Sequence, residues 1–242
     1  NNTKTTATTG LFAGIISTGS TTSTTSMTFT GNTVSGNTQQ GTSDMTLLNA
    51  ASAVNYTITG NVVNGNTKAG ASGSMFCSRA GGSTTSNVNY SSNQVYNNSM
   101  PNTSGATAAN VYGYYNFSSP GASETYQNNQ IYNQTMGGTN TATTSRLVGL
   151  YTGSASTSVK TISGNLVYGL TSNVTGAGAV IVAGIVSDYG PAATKVYKNK
   201  IYDLTNSNSG TTAGVVNGIG LGFFSATVTG NATVYNNMVG DL

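Results

Sequence analysis

The chain has 242 residues, and Asn, Thr, Ser and Gly supply 132 of them; only 13 side chains are charged, for a formal net charge of +3. His and Trp are absent and Cys occurs once, which excludes Ser-His and Cys-His nucleophiles and His/Cys metal sites. Poor helix formers dominate, and no apolar run reaches the length of a membrane helix, so a helical bundle and a helical membrane span are excluded too.

In chain order one motif recurs: a large residue, Asn three positions later, and a β-branched residue two positions after that. It is read at Phe29, Asn32 and Val34, then at Ile58, Asn61 and Val63, then at Tyr90, Asn93 and Val95. It returns at Tyr126, Asn129 and Ile131, at Ile162, Asn165 and Val167, at Val196, Asn199 and Ile201, and at Val234, Asn237 and Val239. The two apolar columns are five residues apart, an odd number, so one flat strand cannot point both the same way. A corner at Asn, often preceded by Gly, Ser or Asn, resolves this. A second apolar stretch follows each corner. It is Gly-led at Gly14, Gly113, Gly149, Gly184 and Gly218, and weaker at Leu47–Leu48 and Met75–Phe76.

Each repeat therefore predicts three short strands, joined by polar loops such as the one from Thr205 to Thr212. A repeat of this size cannot bury its own apolar residues, and stacking neighbours makes one continuous core. The expected fold is all-β: a parallel β-helix (β-solenoid) of about seven coils of roughly 35 residues, one domain over 1–242. The seven corner asparagines should stack as a ladder, each amide supplying donor and acceptor.

This pattern resembles the right-handed parallel β-helix repeat of the pectate-lyase-like superfamily, and the Asn column resembles the asparagine ladder of those proteins. The resemblance implies the right-handed turn. The Thr/Ser/Asn-rich composition is most similar to repeat regions of large secreted or cell-surface bacterial adhesins. It implies an extracellular or cell-surface location and a structural role in a fibre, stalk or filament. Phage and virus fibres share the architecture, as do glycan-binding and glycan-cleaving modules.

Neither end carries a charged cap or an amphipathic capping helix, and the two ends are in phase. The expected partner is the chain itself or adjoining repeats, end to end, as a filament subunit or a segment of a longer array.

No enzyme is read from the residues. The five acids are too few to pair with one another, apart from Asp203 and Asp241 in adjacent coils. Their column holds Gly36, Gly65, Asn97, Asn133 and Gly169 elsewhere, which marks a turn. Arg79 and Arg146 lack the acidic surroundings of a lyase site, and neither cofactor nor metal is expected. Three residues after the corner Asn stand Tyr96, Tyr132, Tyr168 and Tyr202. They should point outward as a stacked ladder, with surface glycans as the alternative partner of a flat aromatic platform. Lys195, Lys198 and Lys200, joined by Lys160, form the one basic cluster, too small to predict a nucleic-acid partner. Cys77 reads as a small buried hydrophobe.

Overall fold

The computed structural model describes residues 3–4, 12–18, 26–51, 53–81, 85–105, 108–117, 120–141, 144–153, 158–188, 193–208, 214–224 and 230–242. The described residues form no helix and three sheets whose strand pairings are all parallel, the arrangement of a β-solenoid. Sheet I holds the strands before the corner Asn: Ser26–Thr30, Asn55–Thr59, Thr85–Ser91, Pro120–Gln127, Val159–Ser163, Thr194–Tyr197 and Ala232–Tyr235. Sheet III holds the glycine-led strands, from Phe12–Thr18 through Ser145–Thr152 to Val215–Leu221, and also has one strand per repeat.

Sheet II follows the corner and departs from the three-strand expectation. In the second repeat it consists of two short pieces, Val62–Asn64 and Thr67–Lys68. In the fourth to sixth repeats it runs through as Gln130–Asn140, Leu166–Thr175 and Lys200–Asn206. Thr205, expected in a loop, therefore belongs to a strand, where it is exposed; 209–212 of that expected loop lie outside the described residues.

The two apolar columns do point inward. Ile58, Tyr90, Tyr126, Ile162 and Val196 are buried, and so are Val63, Val95, Ile131, Val167 and Ile201. Across the interior the second column meets the glycine column. A Cβ at Gly149 would lie 2.6 Å from Val167 Cγ1, and one at Gly184 would lie 2.6 Å from Ile201 Cγ2. Glycine is needed there because the β-branched side chain already fills the space. In the second and third repeats Leu47 and Cys77 take that register position.

The backbone bends where the sequence placed turns. The residue before each corner Asn has positive φ: Gly31, Gly60, Ser92, Asn128, Gly164, Lys198 and Asn236. So does the residue four after it: Gly36, Gly65, Asn97, Asn133, Gly169, Asp203 and Asp241. Gly, Asn and Asp suit this left-handed conformation; Ser92 and Lys198 adopt it without that advantage.

Candidate functional site

The asparagine ladder forms along its full length. Each backbone N–H and each side-chain Nδ2 donates to Oδ1 of the next rung. Asn93 N and Nδ2 both lie 3.0 Å from Asn129 Oδ1; Asn129 N and Nδ2 lie 3.1 and 2.9 Å from Asn165 Oδ1. The same geometry links Asn32 to Asn61, Asn61 to Asn93, Asn165 to Asn199 and Asn199 to Asn237. The other Nδ2 hydrogen reaches back to the carbonyl of the inward residue in the preceding coil, as from Asn129 to Tyr90 O at 3.0 Å and from Asn165 to Tyr126 O at 2.9 Å. The ladder thus satisfies buried amides and the corner backbone together.

A second ladder stands five residues further on, which the sequence reading missed. Asn37 donates to Asn66 Oδ1 and Asn66 to Asn98 Oδ1, with side-chain distances of 2.8 and 2.9 Å. Gln134 takes the next position and donates to Val95 O and Tyr132 O. Leu170 and Leu204 then occupy the same register position.

The four predicted tyrosines stack on the outside of sheet II. Ring centroids are 4.9, 4.9 and 5.0 Å apart from Tyr96 to Tyr202, with interplanar angles of 2°, 0° and 4°. The faces of successive rings overlap, so edges and hydroxyls meet solvent more than open faces do. Asn64 Nδ2 donates to Tyr96 OH at 2.7 Å at one end, and Lys200 Nζ lies 5.1 Å from the Tyr202 ring centre at the other. A second stack, Tyr197 on Tyr235, lies outside sheet I with centroids 5.0 Å apart.

Lys160 is not part of the surface cluster. Strand alternation puts it on the inward face with Ile162, just as Glu124 shares the face of Tyr126. The two charged groups are in register and fully buried, with Nζ 3.8 Å from Glu124 Oε1. Glu124 also accepts from Tyr126 OH (2.5 Å), Thr152 Oγ1 (2.9 Å), Asn116 Nδ2 (3.1 Å) and Ser158 Oγ (2.7 Å). Lys160 Nζ donates to Asp188 O at 3.1 Å. Burial lowers the Lys160 pKa, opposed by the charges of Glu124 and Asp188. Burial, then Glu124, holds the Tyr126 hydroxyl well above its ordinary value. So dense a set of donors suits an ionised carboxylate held for structure.

Sheet III carries an aromatic cluster on its outer face. Phe76 stacks on Tyr112 at 5.5 Å and Tyr115 on Tyr151 at 5.2 Å. Arg79 lies 5.0 Å from the Phe76 ring centre and Arg146 4.1 Å from that of Phe224. Both arginines are thus engaged with aromatic faces. The Phe224 N–H donates to Asp188 Oδ1 at 3.1 Å and pins the segment after sheet III onto this face. Burial, foremost, raises the Asp188 pKa.

Cys77 is fully buried, and burial pushes its thiol pKa up. Asp203 and Asp241 are exposed and occupy turn positions. Among the described residues no group of three or more His, Cys, Asp or Glu side chains is placed to hold a metal ion, and no helix is long and apolar enough to cross a membrane.

Fold and ladders together define a parallel β-solenoid repeat protein. Comparison of the chain with protein-family models, with curated proteins and with solved structures finds no match.

Proposed function

We propose that this chain is a non-enzymatic structural segment of an extracellular fibre, stalk or cell-surface adhesin, extended end to end by further β-helical coils. The observation that carries the reading is the corner ladder: from Asn32 to Asn237 each coil bonds to the next through the same backbone and amide groups, so coils of this kind add by one repeated set of bonds. The inward column continues in the same register through Ile201 to Val239. The first corner ladder is directional: each rung turns its backbone N–H and one amide hydrogen toward the C-terminal end and its Oδ1 toward the N-terminal end. An added coil with Asn at its corner would therefore dock in one orientation.

Low charge and a surface of hydroxyl and amide groups suit such a spacer. The composition and the corner motif support a right-handed β-helix of the pectate-lyase-like kind, with a likeness to repeat regions of secreted bacterial adhesins.

The test is assembly of the 242-residue chain, followed by light scattering and electron microscopy. Concentration-dependent rods, reverted to single units by Val239→Asp, are the expected result. A chain that stays monomeric at every concentration contradicts end-to-end stacking. The denatured mass of the native polypeptide then separates the two forms of the proposal: about 24 kDa for stacked subunits, many times that for a covalent array.

A further inference from the structure

Among the side chains whose surroundings are described, the exposed positive charge is concentrated on one corner, where Lys200 also lies 5.1 Å from the Tyr202 ring centre. Among Lys and Arg side chains whose surroundings are described, Lys68 and Lys160 are buried, and Arg79 and Arg146 lie against aromatic rings. The remaining three, Lys195, Lys198 and Lys200, are exposed and fall within six residues of the sixth repeat. They wrap the corner between sheets I and II, with Tyr197 between the first two and Tyr202 just beyond the third.

The neighbouring coils place no charge in register with them. In register with Lys195 stand Thr161 and Thr233, and in register with Lys200 stand Leu166 and Met238. Gly164 and Asn236 hold the corner position of Lys198 in those coils. Asp203 and Asp241, both exposed, bound the patch on the sheet II side. Lys198 also holds its charge at the corner at φ 56°, where Gly or Asn costs less.

We propose that this corner binds an anionic polysaccharide. The lysines would meet its carboxylate or sulfate groups. The hydroxyls of Tyr197, Tyr202, Tyr235, Thr161 and Thr233 would hydrogen-bond its sugar hydroxyls. Lysine acts as a point charge and does not require the planar, bidentate geometry through which arginine reads phosphate. Three lysines with no arginine are also few for a nucleic-acid site, which draws affinity from many phosphate contacts. The corner lies on the side of the solenoid, so it remains open when coils are added at the ends.

The test uses the whole chain and polygalacturonate as probe, with neutral dextran and single-stranded DNA beside it, at low and moderate salt. The variant is Lys195→Thr, Lys198→Asn and Lys200→Gln combined, residues that other coils carry in the same columns at Thr161, Asn236 and Gln130. Its fold is checked by circular dichroism and its unfolding midpoint. The parent should bind polygalacturonate in a salt-sensitive manner and leave dextran unbound. The folded triple variant should bind about tenfold more weakly or worse. Equal binding by parent and variant, or no binding by the parent, overturns the proposal. Tighter binding of DNA than of polygalacturonate overturns it in favour of a nucleic-acid face.

Discussion

The two corners of sheet II are built on the same device and end differently. At the first, Asn stands in all seven repeats and the amides form one unbroken chain from Asn32 to Asn237. At the second, Asn37, Asn66 and Asn98 form the same kind of ladder, which then passes to Gln134 and gives way to Leu170 and Leu204. The backbone follows this difference. Where the second corner has Asn, sheet II breaks into two strands; in the fourth to sixth repeats it runs through as one. Asn133, Gly169 and Asp203 keep a positive φ inside those longer strands, so the bend survives without the ladder. The lesson is that the left-handed residue sets the direction of the chain, while Asn satisfies the backbone groups that a sharper corner exposes. A corner with apolar side chains can do without Asn if its backbone remains paired with the neighbouring coils.

The largest expected loss, against which both corners are scaled, comes from the core column between them. Val167→Asp puts an unpaired charge where Gly149 and the β-branched column meet, and should cost about 3–5 kcal/mol in urea unfolding. Asn129→Ala removes Oδ1 from two donors of Asn93 and leaves Tyr90 O and Asn165 Oδ1 without that amide. It should cost about 3 kcal/mol, read as a lower unfolding midpoint. At the second corner, Gln134→Leu copies the residue of the next two repeats and loses bonds to two carbonyls; about 1 kcal/mol is expected.

A pH test sharpens the comparison within the second corner. Lys68 is buried beside its early ladder and donates to Gly41 O and Gly70 O; burial lowers its pKa from 10.5 to about 8, with Asp44 opposing. The unfolded chain holds this proton to higher pH than the folded one does. The contribution of Lys68 should therefore rise between about pH 8 and pH 10, opposed from about pH 9 by the Cys77 thiol and then by tyrosines, which ionise first in the unfolded chain. Lys68→Met should remove that rise in unfolding midpoints measured at the two pH values. The smallest effect is at the first corner: Lys198→Asn relieves a left-handed lysine and should stabilise the chain by about 0.5 kcal/mol, read as a small upward shift of the midpoint.

Much of this was legible in the sequence because the first corner repeats without exception. Asn32 to Asn237, the column two residues later and the outward tyrosines share one spacing, and all emerge from aligning seven short motifs. The second ladder was hidden because its column changes chemistry at Gln134. Glu124 and Lys160 were hidden for another reason. Each stands two residues before a large inward residue, so alternation alone places it inside; reading charge as surface hid that signal. The aromatic face of sheet III was obscured because alternation breaks after the glycine: Tyr114 and Leu150 join Gly113 and Gly149 on the core side, so Tyr115 and Tyr151, two residues after those glycines, lie in the outer aromatic cluster with Tyr112.

The most direct measurement is urea unfolding of Asn129→Leu beside Gln134→Leu, the same side chain placed at the two corners of one coil. The expected result is a loss about three times larger at the first corner, with Gln134→Leu only about 1 kcal/mol below the parent. Equal losses would contradict it, since the two corners would then depend on their amides alike.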